Sequence, residues 1–133
     1  MANRTLYPAQ NYGSSRVYAE IRFTAPGAGT SVPASSVDGA NIVASIAHVA
    51  GTNKLTITLK DTFRRAIYAN ANVLEGAVGD GQWASVGNVA NEGTATPIAF
   101  DVYTWSAAGA AANDSARTIV VALAFKNGSW GVQ

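Results

Sequence analysis

The sequence predicts an all-β domain, an antiparallel sandwich or barrel of about seven to eight strands. Apolar and polar residues alternate with a period of two in several segments, which is typical of half-buried strands. Stretches rich in Gly, Asn, Ser and Pro separate those segments and indicate turns. No alternation of strands with helices indicates a parallel sheet. The 133 residues suit one domain, which we predict over 16–133, after an extended N-terminal arm at 1–15.

Three strands are predicted in the first half of the chain. Residues 16–24 alternate, with Val17, Ala19, Ile21 and Phe23 on the apolar face. Residues 25–40 are interpreted as a long loop of small residues with two prolines. Residues 42–49 and 54–60 then form an antiparallel hairpin, because the turn between them is short. The predicted inward residues of this hairpin are Ile42, Ala44, Ile46 and His48 on the first strand and Leu55, Ile57 and Leu59 on the second.

Four more strands are predicted in the second half. At 61–65 the alternation stops, and we expect Asp61 to cap a single helical turn with Phe63 tucked under the sheet. Strands follow at 66–74, at 82–89 and at 97–105. The alanine-rich segment 107–116 is interpreted as a loop, because Gly109 and the polar run at 113–115 disfavour a helix. The last strand covers 117–126, and an eighth strand is expected only if the arm or the tail pairs.

Composition excludes several classes of function. Nine Lys and Arg stand against eight Asp and Glu, and only 13% of residues are charged, which disfavours binding driven by phosphate neutralisation. The absence of cysteine removes disulfide scaffolds and thiolate chemistry. Apolar stretches are too short to cross a membrane, and the first residues lack the apolar core of a secretory signal.

No pattern of residues predicts catalysis, a metal or a cofactor. The one histidine, His48, lies on an apolar strand face and is interpreted as structural. No serine has the G-x-S-x-G setting of a nucleophile elbow. No pair of carboxylates stands out, since Glu20 and Asp101 fall on polar strand faces. Asp80, between two glycines and near Glu75, fits a turn better than a calcium site because it lacks the EF-hand spacing.

Aromatic residues near the two ends are the candidates for contact with a partner. The arm contains Leu6, Tyr7 and Tyr12, and the tail contains Trp130. Two interpretations stay open for them. Either they belong to frayed ends or pack on their own domain, or the arm and the tail dock on a neighbouring subunit.

Much of the chain between about residues 40 and 129 resembles the small head decoration, or cement, proteins of tailed phages. The resemblance rests on four segments: the turn at 51–52 with the strand and corner L-T-I-T-L-x-D-x-F at 55–63, the strand at 97–104, the alanine-rich loop at 107–115, and the strand and tail I-V-V-A-L-A-F-K-N-G-S at 119–129. The arm and the segment 25–40 lie outside it.

The resemblance implies a jelly-roll-like β-sandwich that binds the outside of an icosahedral phage head. There it implies a homotrimer or homodimer that bridges neighbouring copies of the major capsid protein and stabilises the lattice. The expected location is the virion surface, after synthesis in the host cytoplasm. Neither a nucleic acid nor a membrane is expected as a partner, and no cofactor is implied.

Two other functions remain open at this point, because fold alone does not decide function. One is a carbohydrate- or receptor-binding module of a phage fibre, which predicts two of Trp83, Trp105 and Trp130 on one exposed face with polar neighbours. The other is a major subunit that builds a shell or tube by itself. Such a subunit assembles without limit, whereas a decoration protein stops at a small closed oligomer.

Overall fold

The computed structural model describes residues 16–32, 36–39, 41–74, 82–111 and 117–126. The predicted arm with Leu6, Tyr7 and Tyr12, and the tail with Trp130, lie outside these residues. The described part contains eight strands and no α-helix. The strands are β1 (Arg16–Thr24), β2 (Ser31–Val32), β3 (Val43–His48), β4 (Lys54–Leu59), β5 (Arg65–Leu74), β6 (Trp83–Ala90), β7 (Ala99–Trp105) and β8 (Thr118–Lys126).

The strands form two antiparallel sheets, which confirms the predicted all-β sandwich. One sheet has three strands in the order β1-β8-β5, and the other has five in the order β2-β3-β4-β7-β6. Two strand pairs join distant parts of the chain. β4 pairs with β7, and β1, which precedes β4 in the chain, pairs with β8, which follows β7. The hairpin predicted from the short turn is the β3–β4 pair.

The core lies between the sheets and consists of the apolar residues that the alternation predicts. Ile21 and Phe23 of β1, and Leu55, Ile57 and Leu59 of β4, are almost completely buried. The same holds for Phe100 and Val102 of β7 and for the alternating apolar residues of β8, which are Ile119, Val121, Leu123 and Phe125. Because each strand buries one face, its other face remains as an outer surface of the sandwich.

The segment 25–40 differs from the predicted loop. Ser31 and Val32 pair with Ala47 and Ile46, so β2 is a strand that was not predicted from the sequence. The strand considered for the arm or the tail lies outside the described residues. Farther on, Asp38 forms an antiparallel bridge with Arg22 at the edge of β1. These pairings were not predicted, because the segment consists mostly of small residues without alternation. Val32 and Val37 are nevertheless buried in the core.

Two local predictions are wrong. Ala44 is exposed and Val43 is buried. The register shifts between Val43 and Ser45, and this bulge reverses which residues at the start of β3 point toward the core. The helical turn expected after Asp61 does not form, although Phe63 is buried as predicted. The backbone there forms long-range hydrogen bonds instead: Arg64 N–H donates to Lys126 O of β8, and Phe63 O accepts from Gly93 N–H in the turn between β6 and β7. Across the described ranges, no helix long and apolar enough to span a membrane occurs.

Candidate functional site

The outer face of the three-stranded sheet presents two half-exposed tyrosines. Tyr18 of β1 and Tyr68 of β5 both lie opposite Ala124 of β8 in the register, and their side chains are 50% and 49% exposed. Because opposite residues on one face approach within about 5 Å, the two side chains flank Ala124, which is 1% exposed. We call this surface, together with the cations described next, the tyrosine face.

A row of three cations borders the tyrosines. Arg16, Lys126 and Arg65 are register partners across β1, β8 and β5, one step from the tyrosine row on the same face. Arg22 adds a fourth cation farther along β1, and two acids lie among the described residues of this face, Glu20 and the Asp38 that pairs with Arg22. The tyrosine face is therefore positively charged in a chain whose formal net charge is only +1.

The outer face of the five-stranded sheet presents a second aromatic cluster. Trp83 of β6 and Trp105 of β7 are register partners, and their rings stack with centroids 5.5 Å apart and planes 22° apart. Both indole N–H groups are held by the protein: Trp83 Nε1 donates to Ser106 O at 3.0 Å, and Trp105 Nε1 donates to Ser85 Oγ at 2.9 Å. Trp83 is nevertheless 46% exposed, so a fixed ring faces solvent.

A hydrogen-bonded carboxylate lies farther along the same face. Asp101 is 8% exposed and accepts hydrogen bonds from Thr56 Oγ1 at 2.7 Å and Asn88 Nδ2 at 2.9 Å. Lys54 Nζ lies 3.9 Å from its Oδ2. The Asn88 amide also contacts the hydroxyl of Tyr103 at 2.6 Å. We call Trp83, Trp105, Tyr103, Lys54, Asp101 and Asn88 the tryptophan face.

Asn88 reaches this carboxylate because β6 is irregular at that point. The register shifts between Gly87 and Ala90, and Asn88 has a φ of 52°, in the left-handed region. Asparagine tolerates this conformation better than most residues, which suits it to the position. The bulge thus directs a polar side chain over Asp101, an arrangement that regular alternation would not produce.

His48 is structural, as its position on an apolar strand face predicts. Its ring is 4% exposed, and its nitrogens contact the carbonyl oxygens of Pro26 at 2.7 Å and Thr52 at 2.9 Å. These contacts join the segment after β1 to the β3–β4 turn. Both ring nitrogens are therefore engaged with backbone rather than with a nucleophile or a metal.

The carboxylates do not form a shared site in the described ranges. Glu20 and Asp101 lie on the outer faces of opposite sheets, and no group of three or more His, Asp or Glu in that part of the chain is placed to hold a metal ion. Asp80 and Glu75 lie outside the described residues.

Of the predicted partner-contact residues, Leu6, Tyr7, Tyr12 and Trp130 all lie outside the described residues, so they stay predictions. The structure does bring together Trp83 and Trp105, which the carbohydrate alternative requires. The alternation of both strands was a usable signal, since Trp83 and Trp105 lie at outward positions of strands that follow one another in the chain. The hydrogen bonds around Asp101 were not predicted, because no sequence pattern indicates the bulge that brings Asn88 to this carboxylate.

Comparisons with protein-family models, with curated proteins and with solved structures find no match to this chain. The class that the fold and the two faces define is an all-β sandwich with two aromatic outer surfaces of different chemistry.

Proposed function

We propose that this protein is a non-enzymatic decoration, or cement, protein that binds the outside of an icosahedral phage head and bridges neighbouring copies of the major capsid protein. The resemblance to tailed-phage decoration proteins suggests this role. The single structural observation that supports it best is the tyrosine face. The alternative of a carbohydrate-binding module rests on the tryptophan face, on the other sheet.

The tyrosine face has the composition of a protein-binding surface. Tyr and Arg are the residue types enriched in interfaces and in their energetic hot spots, and Tyr18, Tyr68, Arg16 and Arg65 all lie here. Ala124 between the tyrosines is only 1% exposed, so the two tyrosine side chains themselves form the accessible contact surface at this point. The cationic row selects a partner surface that carries carboxylates.

Repetition on a symmetric shell makes modest contacts sufficient. A dimer or trimer that engages two or three capsomers gains avidity from its effective concentration on the lattice. Binding to the assembled shell but not to free subunits stabilises the shell by mass action. In this mechanism the protein requires no catalytic group.

Co-sedimentation with shells of the major capsid protein of the same virion tests the proposal. We expect saturable binding at a fixed ratio to capsomers, and a loss of about tenfold or more in affinity when Tyr18 and Tyr68 are both changed to Ala. Val89→Ala, which alters an exposed apolar residue of β6 in the other sheet, is the matched control and should bind normally. An absence of binding to shells would overturn the proposal.

Light scattering on the protein alone separates the proposal from the shell-subunit alternative. A decoration protein gives one small closed species, a dimer or trimer, whose mass does not grow with concentration. Open-ended assembly into tubes or shells would contradict the decoration role and favour a self-assembling subunit.

A further inference from the structure

We propose that the tryptophan face is a binding site for a neutral oligosaccharide, with one sugar ring stacked on Trp83 and a following ring hydrogen-bonded beside Asp101. This inference does not depend on the shell-binding role, because it rests on the opposite sheet. It assigns a ligand class to the outer face of the five-stranded sheet, which the proposed shell-binding role does not involve.

Trp83 provides a preorganised apolar platform. Its ring stacks on Trp105 and its N–H donates to Ser106 O, so two contacts fix its orientation before any ligand arrives. An exposed indole face carries a negative π-cloud that attracts the weakly positive C–H groups on one face of a pyranose ring. Because the ring is already held, binding costs little side-chain entropy.

Polar side chains lie next to Trp83 and Trp105 along β6 and β7, on the same face of the sheet. Tyr103 and Ser85 are register partners one step along β7 and β6 from the tryptophans, and Asp101 lies one step beyond Tyr103. Each step of two residues along a strand covers about 7 Å, so the distance from the Trp105 position to the Asp101 position is about 14 Å. That distance is longer than one sugar ring and suits an oligosaccharide of two or three sugar rings.

The polar groups match sugar hydroxyls, which both donate and accept hydrogen bonds. Lys54 Nζ is a donor, and the Tyr103 hydroxyl can donate and accept. The Asn88 side chain offers its amide oxygen as an acceptor, because its Nδ2 already donates to Asp101 Oδ2 and to the Tyr103 hydroxyl. Thr56 keeps the carboxylate oriented through its own hydrogen bond to Oδ1. The surface therefore places polar groups on the same sheet face as a stacking platform.

The charge of the face favours a neutral ligand. Lys54 and Asp101 lie 3.9 Å apart and offset each other. Single-stranded nucleic acid also stacks on aromatic rings, but its binding needs a cationic groove for the phosphates. On the described residues the cationic row belongs to the tyrosine face, on the other side of the sandwich.

Titration by ¹H–¹⁵N NMR with maltotriose, cellotriose and chitotriose tests the inference. We expect at least one trisaccharide to shift the Trp83 indole resonance with a dissociation constant of about 1 mM or tighter, and the matching monosaccharide to bind more weakly. Trp83→Ala should weaken binding about tenfold or more, whereas Trp83→Phe should keep part of it. Tyr68→Ala, on the opposite face, is the matched control and should bind normally.

Three results would overturn the inference. The first is no shift of the Trp83 resonance with any of the three trisaccharides. The second is unchanged binding by a Trp83→Ala variant whose thermal unfolding matches that of the parent protein. The third is binding of an oligothymidylate in place of every saccharide, which would make the face a nucleic-acid surface.

Discussion

The rings of Phe63 and Phe125 stack with their centroids 4.5 Å apart and their planes only 13° apart. Phe63 lies where the chain leaves β4 of the five-stranded sheet to enter β5 of the three-stranded sheet, and Phe125 belongs to β8 of the latter. The pair therefore attaches this crossover to the three-stranded sheet. Both residues are buried, so the contact contributes apolar area as well as ring geometry.

Phe63→Ala should reduce the free energy of unfolding by about 3 to 5 kcal/mol, because it leaves a cavity against Phe125. Phe63→Leu keeps most of the volume and should cost about 1 to 2 kcal/mol. Urea unfolding followed by circular dichroism measures both. A loss below about 1 kcal/mol for the alanine variant would show that the stack does not support the crossover.

Gly39 is a position where a side chain should not be tolerated. Its φ is +89°, and a Cβ built there would clash with the carbonyl oxygen of Glu20 on β1. Gly39→Ala should therefore cost at least about 2 kcal/mol of stability. Gly51→Ala is the matched control, since Gly51 also has a positive φ of +71° but open space around it. It should cost only about 1 kcal/mol. Equal losses for the two variants would contradict the steric argument.

Removal of the Asp101 carboxylate should destabilise the fold as well as the tryptophan face. Asp101→Ala leaves the partly buried donors of Thr56 and Asn88 without their acceptor, and we expect a loss of about 2 to 3 kcal/mol. Thr56→Val removes one of the two hydrogen bonds and should cost about 1 kcal/mol. Thermal unfolding of the two variants measures the difference. A neutral Asp101→Ala variant would show that this network adds nothing to stability.

Attachment to the shell should depend on the cationic row of the tyrosine face. Arg65→Glu should lower the affinity for shells about tenfold or more, while Lys60→Glu makes the same charge change at an exposed position after β4 and should have little effect. Binding by the parent protein should also weaken as the salt concentration rises from about 0.05 to 0.3 M. Identical behaviour of the two charge-reversal variants would place the docking surface elsewhere.

Alternation predicted the strands well where one face is buried. β1, β4 and β8 direct every second residue toward the core, and their predicted bounds agree with the structure to within about one residue. β2 was missed because two residues cannot show a period. Ala44 was assigned to the wrong face, because a bulge reverses the alternation without any glycine or proline to mark it.

The outer surfaces were harder to predict, because they depend on which strands become neighbours. Tyr18 and Tyr68 are far apart in sequence and meet only because β8 lies between β1 and β5. Alternation gives the face of each tyrosine, but not that non-local pairing. Trp83 and Trp105 belong to consecutive strands, so their parity does predict a shared face. The partner contacts predicted at Tyr7, Tyr12 and Trp130 stay predictions.

The heat resistance of shells tests the central claim, stabilisation of a capsid lattice, most directly. Shells of the major capsid protein would be heated with and without a saturating amount of this protein, and their disassembly followed by light scattering. We expect the disassembly temperature to rise on addition of the parent protein, and to return to that of bare shells with the Tyr18→Ala and Tyr68→Ala double variant. An unchanged disassembly temperature, despite saturating amounts of a folded protein, would contradict the account.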